Sequence, residues 1–264
     1  MILTFLGTGT STGVPQLRCH CPTCSSTDAR DRRLRASVLI RAAEGAPAVI
    51  IDCGPDFRAQ MLRHDSPELC AALITHIHYD HVGGIDDLRP YCADKPDHHF
   101  PVYCREDVAA GLRHNFPYSF AENPYPGVPT FDIHYIEALR PFDVPLGGEF
   151  GNLRFTPLPV MHARLPIFGY RCGNLAYITD CSSMPAETKD AIRGVDTLVI
   201  NALRPQQHMS HLSLAEALAI IEELKPGRAY LTHMSHDMPP VRRASRLLPT
   251  GVHFACDNLE IEVF

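Results

Sequence analysis

Short apolar, β-branched runs alternate with amphipathic stretches along the whole chain. Runs at 2–6, 37–41, 48–52, 71–75, 101–104, 152–158, 175–179, 197–200, 229–232 and 259–263 have the length and composition of strands. Between them, 56–63, 105–114, 185–193, 213–224 and 239–247 carry helical spacing. The clearest helix is 213–224. Leu214, Leu218 and Ile221 recur on one face, Ser213 and Glu216 form a capping-box pair, and Pro226 follows the end. Such alternation predicts a layered α/β domain. Residues 117–130 break the pattern: Pro117, Pro124, Pro126, Gly127 and Pro129 preclude a regular element. With Tyr118, Phe120 and Tyr125 they read either as an ordered loop covering a pocket or interface, or as packing filler. No repeat, low-complexity tract or linker divides the chain, so one domain over 1–264 is expected.

Composition narrows the classes. With 45% hydrophobic side chains, 264 residues can bury one substantial core. A net charge of −6 argues against dominant attraction to nucleic acid or anionic membrane, although Arg30, Arg32, Arg33 and Arg35 form one basic patch. No apolar stretch approaches the roughly 20 residues that span a bilayer. Met1 to Gly7 lacks a basic leader region and reads as a first strand. Ten cysteines without a secretory signal point to reduced thiols and metal ligation, and to the cytoplasm.

The chemistry concentrates in Thr75-His-Ile-His-Tyr-Asp-His-Val-Gly-Gly84. On an extended segment His76 and His78 leave from one face. Asp80 and His81 follow at the start of a helix, where a carboxylate suits the dipole. Three imidazoles and a carboxylate suit borderline divalent metals such as zinc, iron or manganese. His162, Asp180 and His233 each end another expected strand, where open α/β sheets gather functional groups. A second cluster, Cys19, Cys21 and Cys24, is one ligand short of a tetrahedral zinc site. His236 is the expected fourth ligand, with His20 its local rival. In Gly7-Thr-Gly-Thr-Ser-Thr-Gly13, Thr8 and Ser11 supply hydroxyls for an oxyanion cradle, a reading no stronger than that of a tight turn. The other cysteines read as small core residues, and His98 and His99 as part of a solvated loop.

His76, His78, Asp80 and His81 match the His-x-His-x-Asp-His hallmark in full, and the chain resembles the metallo-β-lactamase superfamily over nearly its whole length. That resemblance implies a four-layer αββα sandwich with two metals in a groove at the edge of its sheets. His76, His78 and His162 would hold the first, Asp80, His81 and His233 the second, and Asp180 would bridge them. Two cations sharing a water lower its pKa, so hydroxide between them would be the nucleophile of a hydrolase. Asp80, counted with the catalytic groups, must stay ionised, which its cation would enforce. The Leu6–Thr10 opening, the cysteine cluster and the His233-x-x-His236 ending resemble the phosphoribosyl 1,2-cyclic phosphate phosphodiesterase family. This implies a structural zinc on Cys19, Cys21, Cys24 and His236. His211 matches the histidine that phosphodiesterases of the superfamily place beside the scissile phosphate, implying a general acid or phosphate ligand, with His208 its rival.

The expected function is a metal-dependent phosphodiesterase acting on a small cyclic or ribosyl phosphodiester, with zinc or manganese, or iron, in the active site. A homodimer is the expected assembly. One alternative is a transfer-RNA 3′-processing endonuclease, disfavoured by the net charge and the lack of a long basic arm. The other is a non-catalytic metal-binding carrier protein, disfavoured by the complete ligand set. A lactamase or thioester hydrolase leaves the cysteine cluster unexplained.

Overall fold

The apolar runs pair into two seven-stranded mixed sheets in the computed structural model, which describes residues 1–95 and 97–264. The first sheet contains β1 (Ile2–Gly7), β2 (Ser37–Arg41), β3 (Ala48–Ile51), β4 (Leu69–Leu73), β5 (His99–Cys104) and β6 (Thr130–Tyr135), with β14 (Glu260–Glu262) outside β1. In the second, β7 (Phe142–Pro145), β8 (Asn152–His162), β9 (Leu165–Cys172), β10 (Leu175–Ile178), β11 (Thr197–Asn201), β12 (Arg228–Thr232) and β13 (Val252–Phe254) follow in order across the sheet. β3 to β6 run parallel, as do β10 to β13, whereas β7 to β10 form an antiparallel meander.

Strand alternation sorts the side chains into layers. Leu3, Phe5, Val38, Ile40, Val49 and Ile51 face Phe155, Tyr170, Tyr177, Val199 and Tyr230 between the sheets. Outward-facing Leu39, Ile50 and Ala72 pack with Phe57 and Met61 of α1 (Phe57–Leu62), Cys92 of α3 (Arg89–Ala93) and Leu112 of α4 (Glu106–Asn115). On the other side, Ile178, Leu198 and Leu231 pack with Ile192 of α5 (Ala186–Ile192), Ile221 of α6 (Leu214–Leu224) and Val241 of α7 (Val241–Ala244). This is the αββα layering that the resemblance implies. The capping box of α6 is present: the Ser213 hydroxyl accepts from the Glu216 amide, and the Glu216 carboxylate accepts from the Ser213 amide.

Several expectations need correction. β6, β7, β9 and β13 lay outside the expected strands, and His99 opens β5 where a loop was expected. β4 occupies Leu69–Leu73 instead of 71–75, which frees Thr75 to leave the sheet. The 239–247 helix is one short turn, α7, followed by a 3-10 turn. Within 117–130, Pro117–Phe120 is a 3-10 turn and Thr130 opens β6. Pro124, Tyr125 and Val128 border a cavity of about 550 Å³ with Arg89 and Cys92, and none of the expected metal ligands lines it. Among the described residues no helix is long and apolar enough to cross a membrane.

The ends of β3, β4, β8, β10 and β12 carry Asp52, Thr75–His78, His162, Asp180 and His233 to one margin of the sandwich. There the sheets are laced together: the Phe168 amide donates to the Thr75 carbonyl, and the Tyr170 hydroxyl to that of Ile74.

Candidate metal centres

Two groups of ligand atoms meet at this margin, each set within 4.8 Å of one another: His76, His78 and His162; and Asp80, His81, Asp180 and His233. Asp180 joins them. Its Oδ2 lies 3.2 Å from both His81 Nε2 and His233 Nδ1, its Oδ1 lies 3.7 Å from His211 Nδ1, and Asp180 forms a further ligand group with His162 and His211. His81 Nε2 is also 3.2 Å from Asp80 Oδ2. His81 and Asp80 belong to the one-turn helix α2 (Tyr79–Val82), for which His78 is the N-cap. Three of the strand-end residues hold left-handed backbone: Asp52 at φ 65°, Asp180 at 55° and His233 at 54°. That turn swings each side chain off the strand's alternation and into the groove.

The hydrogen bonds fix which nitrogen each imidazole presents. His76 Nδ1 donates to Thr75 Oγ1 at 2.9 Å, and that hydroxyl donates to Asp52 Oδ2 at 2.8 Å. His81 Nδ1 donates to the same oxygen at 2.7 Å, and His162 Nδ1 to the Ser210 carbonyl at 2.7 Å. Each ring therefore turns Nε2 toward its group. His233 is reversed: Nε2 meets Thr10 Oγ1 at 3.0 Å, so Nδ1 faces Asp180. Among the described residues, His76 Nε2 and His81 Nε2 are buried without a hydrogen-bond partner. Orphaned buried nitrogens converging with carboxylates are what a divalent cation satisfies, so the residues present fit the metals that the fold implies.

Electrostatics agrees. Burial holds His76 well below its usual pKa and lowers His78 and His233 as well. Burial also opposes charge on His81, but the Asp180, Asp80 and Asp52 carboxylates outweigh it and raise its pKa well above the usual value. Burial likewise opposes ionisation of Asp180, yet His233 and His81 hold it well below the carboxylate range. The carboxylates gathered around His81 thus create the negative potential that a cation at this centre would neutralise.

The second cluster is built differently. Sγ of Cys19, Cys21 and Cys24 and a nitrogen of His236 lie within 4.8 Å of one another, whereas His20 is exposed and outside the group. His236 Nδ1 is 3.2 Å from Cys19 Sγ and 3.6 Å from Cys21 Sγ. Burial raises the Cys21 thiol, but hydrogen bonds from the Cys24 amide and His236 bring it down to about 6. Burial pushes Cys24 up to about 11. Thr23 Oγ1 donates to the Met238 carbonyl, so this loop is fastened to the chain just beyond His236.

His211 reaches the first centre and His208 does not. The His211 ring is 4.7 Å from that of His162 and 5.0 Å from that of His233, with its Nδ1 buried and unpartnered among the described residues. Burial, reinforced by His233, pushes it down to about 3. His208 Nδ1 instead accepts from the Ser210 amide. The glycine-rich loop requires a correction. Thr8 is buried and its hydroxyl donates to Asp257 Oδ1 at 2.8 Å, so it has none left for a ligand. The amides of Gly9, Thr10 and Gly13 are spent on Leu34, Met234 and Thr10 carbonyls, which makes the loop a fastened turn, with Ser11 exposed on it. Asp52 and Thr10 were missed. Asp52 follows an apolar strand as Asp180 does, a signal present in the sequence. Thr10 had no such signal.

Residues 48–234 match the beta-lactamase superfamily domain. The crystal structure of a new diphosphatase from the PhnP family aligns with 98% of this chain and 96% of its own at 38% identity, with a TM-score of 0.88. The chain belongs to the PhnP family of the beta-lactamase superfamily. An octanoyltransferase of Porphyromonas gingivalis is 39% identical over 256 residues; the match takes in 97% of this chain but 50% of that protein, so the chain spans about half its length. Zn(2+)-bound PqqB from Methylobacterium extorquens covers the whole of both chains with a TM-score of 0.80, and at 20% identity it shares the fold.

Proposed function

We propose that this PhnP-family chain hydrolyses a small phosphodiester, such as a cyclic or ribosyl phosphate, using two divalent cations. The first sits on His76, His78 and His162, the second on Asp80, His81 and His233, with Asp180 between them. Cys19, Cys21, Cys24 and His236 take a structural zinc. The observation that carries this reading is Asp180, which meets His81 and His233 through Oδ2 and also groups with His162 of the first set and with His211, whose Nδ1 is unpartnered among the described residues.

Two bound cations would supply an activated water and neutralise charge on phosphate oxygens. The chain does the rest. Asp52, Thr75 and the Ser210 carbonyl hold the imidazoles in the tautomer that faces the groove. His211 is neutral in the ligand-free protein. A phosphate anion beside it opposes the burial that depressed its pKa, letting Nδ1 hold a proton for the departing oxygen.

The test is a hydrolysis panel coupled to metal analysis: ribosyl cyclic phosphate, 2′,3′-cyclic nucleotides, bis(p-nitrophenyl) phosphate, a diphosphate ester, precursor tRNA, a β-lactam and an octanoyl thioester. Metal-dependent turnover of the small phosphodiesters is expected, and His211→Ala should lower kcat roughly 10²- to 10⁴-fold while keeping its cations. Activity confined to tRNA, the lactam or the thioester would sink the proposal. The thioester is included because of the P. gingivalis relative, about half of whose length lies outside the match and could itself carry the acyl transfer.

A further inference from the structure

Thr10 is 7% exposed and belongs to neither group of ligand atoms. Its side-chain oxygen is nonetheless 3.0 Å from His233 Nε2, the ring nitrogen that points away from Asp180. At the other nitrogen, Nδ1, Thr179 Oγ1 lies at 3.3 Å and Asp180 Oδ2 at 3.2 Å. His233 can therefore keep its proton on either side. Only with the proton on Nε2 is the Nδ1 lone pair free for a cation.

The backbone makes Thr10 a fixed point. Its amide donates to the Met234 carbonyl at 3.1 Å, and the Met234 amide donates back to the Thr8 carbonyl at 2.9 Å. The turn is thus stitched to the residue directly after His233. Two residues further on, His236 closes the cysteine cluster, which holds the other end of the same loop through the Gln16 amide and Cys24 Sγ.

We infer that Thr10 is a positioning residue: its hydroxyl accepts the Nε2–H of His233, turns Nδ1 toward the second cation, and makes that cation's affinity depend on the loop the cysteine cluster holds. This rests on the reading of His233 as a ligand of a second active-site cation. Thr10→Val keeps the shape and removes the acceptor. Thr10→Ser keeps the acceptor.

The experiment is a chelator titration of the metal-loaded protein, with bound ions counted by mass spectrometry. Thr10→Val should hold the second active-site cation roughly 10- to 100-fold less tightly, the range for lost partners of a ligating histidine. Thr10→Ser should match the wild type, and neither should lose a first-site cation or the cysteine-bound ion. Equal affinity in Thr10→Val would overturn the inference. Should that variant not fold, nitrogen NMR of the zinc-loaded wild type decides: His233 protonated on Nε2 supports the inference, and protonation on Nδ1 overturns it. A wild type that never binds a second active-site cation would instead defeat the underlying ligand reading.

Discussion

The His/Asp centre and the cysteine cluster draw His233 and His236 from one loop, yet they are organised in opposite ways. The first is assembled from the ends of separate strands, and His76, His81 and His162 each have a partner for the nitrogen that faces away. Asp52, wholly buried, serves both His81 and the threonine that orients His76. The cysteine cluster comes from one short loop plus His236, the Cys19 and Cys21 thiols are partly exposed, and the hydrogen-bond partners of all three come from the cluster and its own loop. A site whose orienting contacts are built into the sheets keeps its geometry without an ion. A site whose members mainly touch each other depends on the ion for its order.

That contrast can be broken at either side. The largest effect is expected from Asp52→Asn. An amide has one acceptor oxygen and cannot accept from the Thr75 amide, the Thr75 hydroxyl and His81 together, so at least one buried donor loses its partner. Metal affinity or turnover should fall roughly 10- to 100-fold with the fold retained, read by metal titration and steady-state kinetics. Wild-type affinity in that variant would show that the buried network does not preorganise the centre. Cys19→Ser should act the other way round. About one ion per chain is lost and the melting temperature drops, at about 2–4 °C per kcal/mol for a chain of this size, while the cation on His76, His78 and His162 stays bound and the one beside Thr10 is held more weakly. Unchanged metal stoichiometry would remove the zinc assignment.

The smallest effect concerns the turn between the two centres. Asp257 accepts from Thr8 Oγ1 and from the Leu34 amide, and burial pushes its carboxyl up to about 6 from a usual 3.8. The folded chain therefore binds this proton more tightly than the unfolded one does. Its contribution to stability is full below about 4 and is lost as pH rises through about 6, at most roughly 3 kcal/mol. Asp257→Asn should remove that dependence. Urea unfolding of both metal-free proteins should show the variant gaining on the wild type between pH 4 and 7. A constant difference across that range would mean that folding does not raise the Asp257 pKa.

Much of this architecture was legible. Strands buried on both faces, such as β3 and β11, are continuous apolar runs, and α6 announces itself through its capping pair and spacing. Among the active-site candidates, His76, Asp180 and His233 were visible because each closely follows such a run, and His78, Asp80 and His81 because of their spacing from His76. The missed strands share a reason: β9 contains Pro166 and Gly169, β7 and β13 are short, and β6 directly follows the proline-rich loop. Their pairing is set by neighbours, which a local pattern does not carry. Thr8 was misjudged and Thr10 missed because neighbouring threonines in a turn are told apart by where Asp257 and His233 arrive from, more than 200 residues later in the chain.

The left-handed backbone at Asp52, Asp180 and His233 bears on how such a molecule diversifies. Each turn follows a strand packed on both faces, and each costs an ordinary side chain about 1 kcal/mol or more, carried by the packing around it. Shifting any of these strands by one residue would move a ligand off its seat, so the seat is inherited whole or lost whole. The connecting loops bear no such constraint. Lineages sharing this frame are therefore free to exchange loops and acquire new substrates over an unchanged set of cation ligands.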